Sequence, residues 1–107
     1  MASKAERQAA RDRVAAYHEE RLGELIEHVG RALDRFRAGQ LDAFEADAVI
    51  HQYHRAAQRL WTFCGQSGVQ VEATAHLIED MAGRGEVIDW WQRGMSARAR
   101  RSEGLDA

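Results

Sequence analysis

Ala15-Ala-Tyr-His18-Glu-Glu-Arg-Leu22-Gly-Glu-Leu25-Ile26-Glu-His-Val29-Gly-Arg-Ala32-Leu33-Asp-Arg-Phe36 is the stretch whose spacing decides the fold class. Ala15, His18, Leu22, Leu25, Val29, Ala32 and Phe36 recur at alternating steps of three and four, with Ile26 and Leu33 widening the stripe. That period is the signature of a helix with one apolar face, and the heptad-like seam is that of a bundle helix. The pattern extends back to about Ala5 and forward to Arg37, which predicts one helix about 50 Å long at 1.5 Å per residue. Before Val14 its apolar residues are alanines only. Gly39 follows as a stop.

Outward from this helix, Asp42-Ala-Phe-Glu45 has capping-box spacing, an N-cap acceptor with an acid three residues on. It opens a second predicted helix, 43 to about 64, with Ala46, Val49, Ile50, Tyr53, Ala56, Ala57, Leu60 and Cys64 on its apolar face. Trp61 and Phe63 fall on opposite edges of that face. A connection this short makes the two helices an antiparallel hairpin. Gly65-Gln-Ser-Gly68 reads as a turn. A third helix is expected from residue 69 or 70 to 82, with Val71, Ala75, Ile78, Met81 and Ala82 on its face, and Gly83-Arg-Gly85 ends it. A short fourth helix is expected over Glu86 to Arg93, with Asp89 either capping it or inside it.

Composition agrees. The 107 residues include no proline, and alanine and arginine, both good helix formers, fill 19 and 14 positions. The expected fold is all-α: a long antiparallel hairpin plus two shorter helices. The expected organisation is a helical arm over 1–13, one domain over 14–94 and a flexible basic tail over 95–107. No apolar window is long enough to cross a membrane, the charged start does not resemble a signal peptide, and the single cysteine forms no internal disulfide. These features point to a cytoplasmic protein.

The net charge of −2 conceals an uneven distribution. Residues 39–92 carry three basic and eight acidic residues, whereas 93–107 carry four basic and two acidic. The stretch Leu60–Leu77 fits a helix-turn-helix poorly. Its would-be recognition helix carries Glu72, Glu79 and Asp80 and no cation, and phosphate contact needs cations. Only the arginines 93, 98, 100 and 101 leave room for a small DNA-associated regulator, so nucleic acid is not the favoured partner.

The five histidines raise the question of chemistry. Asp47, His51 and His54 lie along one stripe of the second helix with Gln58, and their one-turn spacing suits a divalent metal, with Glu27 or His28 as a further ligand across the hairpin. The competing reading is a solvated polar face. His28 is assigned to such a face with Tyr17, Arg21, Glu24, Arg31 and Arg35. No histidine follows a glutamate by three residues on an apolar face, as a diiron bundle would need. There is no phosphate loop, dinucleotide fingerprint or nucleophile elbow. Cys64 sits at a helix C-terminus, where the dipole disfavours a thiolate. No catalytic residue and no cofactor are therefore assigned.

Three tryptophans form the remaining signal. Trp90 and Trp91 are adjacent and diverge by about 100° on a helix. One of them is expected to pack under Trp61, leaving the other as an exposed anchor of the kind enriched in interfaces.

His51-Gln-Tyr-His-Arg-Ala-Ala57, Leu60-Trp61, Cys64 and Ile88-Asp89-Trp90-Trp91 resemble a pattern in small helical bacterial proteins. The resemblance covers roughly residues 14 to 94 and implies no activity.

The leading expectation is a non-enzymatic helical module for protein–protein interaction or oligomerisation. Its partner is a second copy or another protein. The interface residues are His18, Leu22, Leu25 and Val29 on the first helix, with Trp61, Trp90 and Trp91. The alternative is a metal-binding helical protein using Asp47, His51 and His54.

Overall fold

The structure, a computed structural model, describes residues 3–65 and 69–96. It is all-α, with α1 Lys4–Arg37, α2 Ala43–Cys64, α3 Val69–Gly83 and α4 Trp90–Arg93. Gln66 to Gly68 of the expected turn, and the expected tail from residue 97, lie outside the described residues.

Local chemistry sets the helix ends. The Ser3 hydroxyl accepts from the Glu6 N–H at 3.0 Å and caps α1. The Asp42 carboxylate accepts from the Glu45 N–H at 2.7 Å, and the Asp42 N–H donates to Glu45 Oε1 at 3.0 Å. The capping box is thus complete. Gly39 ends α1 at φ 76°, where the Gln40 N–H donates to Arg35 O and the Gly39 N–H to Phe36 O. Gly85 repeats the arrangement after α3 at φ 69°, with Glu86 N–H to Met81 O and Gly85 N–H to Ala82 O. Both are Schellman stops, and both need a residue that tolerates left-handed backbone.

The α1–α2 hairpin is the frame. α3 packs on the N-terminal half of α1 and makes little contact with α2. Residues 6–13 of α1 run beside Glu72, Ala75, His76 and Glu79, and Arg13 pairs with Glu79 at 2.7 Å. The core comprises Val14 and Leu25 from α1, Ala56, Leu60 and Cys64 from α2, Val71, Ala75, Ile78 and Met81 from α3, and Trp90 from α4. No helix among the described residues is long and apolar enough to cross a membrane.

Two sequence expectations need correction. The fourth helix is one turn, not two. Residues 86–89 carry no regular structure, Val87 is 74% exposed, and Asp89 is the N-cap, accepting from the Gln92 N–H at 3.1 Å. The inward face of α1 also extends to one side of the expected stripe, of which Leu25 and Ala32 are buried and His18, Leu22 and Val29 half-buried. Val14, Leu25 and Ala32 are buried, while Tyr17, Arg21 and His28 are half-buried beside them. Ala15, Ile26 and Phe36, all placed on the expected stripe, are exposed.

Candidate functional site

The short α4 organises one flank of the hairpin. Trp90 is 5% exposed, and its indole Nε1–H donates to the Tyr17 hydroxyl at 2.9 Å. Phe63 tilts against both rings, with centroids 5.2 Å from Trp90 and 5.8 Å from Tyr17. Such tilted pairs suit the ring quadrupoles. Trp91 stacks on His28 with centroids 4.0 Å apart and planes 1° from parallel. Two α2 side chains then hold the backbone of α4. Gln52 Nε2 donates to Trp91 O at 2.9 Å, and Arg55 Nε donates to Gly94 O at 2.6 Å.

These contacts overturn two readings. Tyr17 and His28 do not belong to a solvated face; they meet α4, and Arg21 is half-buried beside them, over the Tyr17 ring. Trp61 does not cover Trp90 or Trp91. It is 65% exposed, and Phe63, one edge over on the same helix, supplies the aromatic contact. The adjacent tryptophans are both accommodated because α4 lies in the corner between α1 and α2, with Trp90 against Tyr17 and Phe63 and Trp91 against His28.

Burial at this corner shifts His28. Desolvation first, and the Arg31 cation second, lower its pKa below the ordinary 6.5, opposed by Asp89. Cys64 is buried in the core, and desolvation pushes its thiol up to about 11. A thiol so raised is an inert packing group at neutral pH.

Asp47, His51 and His54 are all exposed on α2. Asp47 Oδ2 and His51 Nε2 lie 3.3 Å apart. Among the described residues nothing else converges on them: of the two ligands expected from α1, His28 is engaged by Trp91 on the covered flank and Glu27 is exposed. Among the described residues no group of three or more His, Cys, Asp or Glu side chains is placed to hold a metal.

No described residue covers the opposite flank of the hairpin. On α1, Leu22, Val29 and Leu33 are half-buried and Ile26 is 50% exposed. On α2, Ala57 and Tyr53 are half-buried, and Ile50 and Trp61 are exposed. At 100° per residue these side chains lie on the side of each helix turned away from α4, and the antiparallel arrangement puts both sets on one side of the hairpin. His18 is half-buried near the same seam, while Leu25, expected in it, belongs to the monomer core. Gly23 and Gly30 flank Ile26, and a Cβ on either would meet open space.

A groove of about 730 Å³ runs between α1 and the segment linking α3 to α4. Tyr17, Ile78, Met81 and Ile88 contribute apolar walls, and its rim carries acids and arginines together. Its size is that of a small-molecule site, but it lacks a convergent set of polar groups with an evident task.

No protein-family model, curated protein or solved structure matches this chain.

Proposed function

We propose that the protein is a non-enzymatic self-association module whose uncovered hairpin flank is the surface between two copies. The observation that carries this reading is the run of exposed apolar side chains, Ile26, Ile50 and Trp61, continuous with half-buried Leu22, Val29, Leu33 and Ala57. The side chains named here carry no charge, and interface centres tend to be depleted of charged residues.

A second copy is the occupant favoured by shape and area. The flank is two antiparallel helices side by side, and its missing layer is another such pair, which completes a four-helix bundle. The 22 residues of α2 extend about 33 Å at 1.5 Å per residue, and two helices side by side span about 20 Å. That is about 650 Å² of face, near the roughly 800 Å² per partner of a standard stable interface. An isologous pairing also places each Trp61 against its partner's surface. Gly23 and Gly30 cost helix propensity with no packing need inside the protomer. In a bundle they let a second helix approach.

This reading takes up the seam expected from sequence in altered form. Leu22, Val29 and His18 border the flank. Ile26 and Trp61 take the central exposed positions, and Leu25, Trp90 and Trp91 belong to the protomer.

The test is mass in solution. Light scattering at micromolar concentration is expected to give about twice 12.1 kDa. Ile26→Glu with Trp61→Glu, both at exposed positions, is expected to halve that mass with the helical circular dichroism unchanged. A wild-type monomer, or a dimer that survives the double substitution, overturns the reading.

A further inference from the structure

The sequence places its basic residues mainly in the first helix and the tail, with an acidic middle between them. Folding changes that distribution. Two of the three cations in residues 39–92 are Arg55 and Arg59, one turn apart on α2. They lie on the flank that α4 covers, so Arg93, 34 residues beyond Arg59, joins them. Arg59 and Arg93 border a pocket of about 420 Å³ formed with Gln58, Thr62, Phe63 and Trp90. Arg93 lies over the Trp90 ring, 5.4 Å from its centroid, and Arg55 is fixed on Gly94 O.

None of the three arginines pairs with a carboxylate among the described residues, and the pocket lining contains no acid. Elsewhere among the described residues Arg13, Arg21, Arg37 and Arg84 each have an acidic partner, and Arg11, Arg31 and Arg35 do not but line no pocket with an arginine of another helix. Like charges one turn apart repel, and the fold adds Arg93 to Arg59 at one pocket, where an anion would relieve them.

We propose that this pole binds a short acidic segment of a partner protein, with carboxylates on Arg59 and Arg93 and an apolar side chain against Phe63. The guanidinium fork matches carboxylates in a bidentate manner. The concave aromatic floor favours a peptide that alternates acidic and apolar residues. A long polyanion fits less well, because duplex affinity grows with the number of phosphates contacted and the rest of residues 39–92 is acidic. The pole and the uncovered hairpin flank are on opposite sides of α2, so this site stands whether or not the chain dimerises.

The probe is a fluorescein-labelled peptide of paired glutamates separated by single leucines, followed by anisotropy with the full-length protein. Saturable binding is expected at low salt, weakening by about tenfold or more at physiological salt as screening shortens the reach of each charge. Arg59→Gln with Arg93→Gln is expected to weaken it by about tenfold or more, an effect of breaking charge-assisted contacts. Arg31→Gln with Arg35→Gln, which removes two exposed charges one turn apart on α1, is expected to leave it within about twofold. A lysine-for-glutamate peptide is expected not to bind, which keeps the test independent of how well the double variant folds. Absence of saturable wild-type binding overturns the proposal. Equal losses in the two double variants, or tighter binding of a mixed-sequence single-stranded oligonucleotide than of the peptide, also overturn it.

Discussion

The two flanks of the α1–α2 hairpin are built on opposite plans. The covered flank is chemically mixed: Tyr17, Arg21 and His28 on α1 and Gln52, Arg55 and Phe63 on α2. A single helical turn seals it through a hydrogen-bonded indole, a stacked imidazole and two side-chain bonds to its backbone. The other flank is conventionally apolar, with Leu22, Ile26, Val29, Leu33, Ile50, Ala57 and Trp61, and is uncovered. Apolar content alone therefore does not select what a protomer buries. Four residues cover a flank when most of the polar atoms there have a partner, the buried Arg21 Nε being the exception, and an aliphatic stripe stays open where no described element packs on it.

The same substitution on the two flanks gives the largest test of this contrast. Trp90→Ala removes a buried indole and leaves the Tyr17 hydroxyl without its donor, so it is expected to cost about 3–5 kcal/mol of stability. Trp61→Ala, at a 65% exposed position, is expected to cost no more than about 1 kcal/mol in the protomer. Urea unfolding at concentrations where the chain is monomeric measures both. Equal costs would break the distinction between a covered and an open flank.

A smaller effect tests how closely α4 sits on α2. Gly94 has an ordinary φ of −85°, so space rather than backbone conformation excludes a side chain there. A Cβ at Gly94 would lie 2.5 Å from Gln52 O and 2.6 Å from the Ala56 Cβ, and these are atoms of a helix that cannot swing aside. Gly94→Ala is therefore expected to destabilise by about 1–3 kcal/mol, the usual range for overpacking. Gly30→Ala, where a Cβ meets open space, is expected to stabilise the protomer by about 0.5–1 kcal/mol through helix propensity. The same urea experiment reports both, and a neutral Gly94→Ala would mean that α4 sits farther from α2.

These residues also show why the sequence was readable in parts. The capping box at Asp42, the glycine stops at 39 and 85 and the run 43–64 are local chemistry, fixed by neighbours three to five positions away. The helices are legible for that reason. Burial on α1 is not local. Three-and-four periodicity selects the aliphatic stripe, of which Leu25 and Ala32 are buried, yet tertiary packing extends the inward face to Val14, Tyr17, Arg21 and His28. The partners responsible, Trp90 for Tyr17 and Trp91 for His28, are more than sixty residues away. A half-buried arginine or histidine gives no apolar signal, so the covered flank read as solvated. The adjacent tryptophans did mark a packing corner, but nothing local distinguished Phe63 from Trp61 as its neighbour. The cationic pole was hidden for the same reason, because it joins two arginines of an acidic stretch to one at the root of a basic tail.

The smallest expected effect concerns His28, where the covered flank holds its one perturbed histidine. Unfolded, the imidazole titrates near 6.5; folded, desolvation and Arg31 hold it lower. Between those two values the unfolded chain retains a proton that the folded chain has released, so stability rises with pH across that window. The contribution is complete above 6.5 and is lost as pH falls through the folded value. The melting midpoint of the wild type is accordingly expected to fall on mild acidification more steeply than that of His28→Gln. An NMR titration of the His28 ring proton gives the sign directly. A value below 6.5 means that burial at the α4 corner outweighs the attraction of the Trp91 face for an imidazolium. A value above 6.5 means that the stacked indole dominates, and the covered flank would then be stabilised by acid.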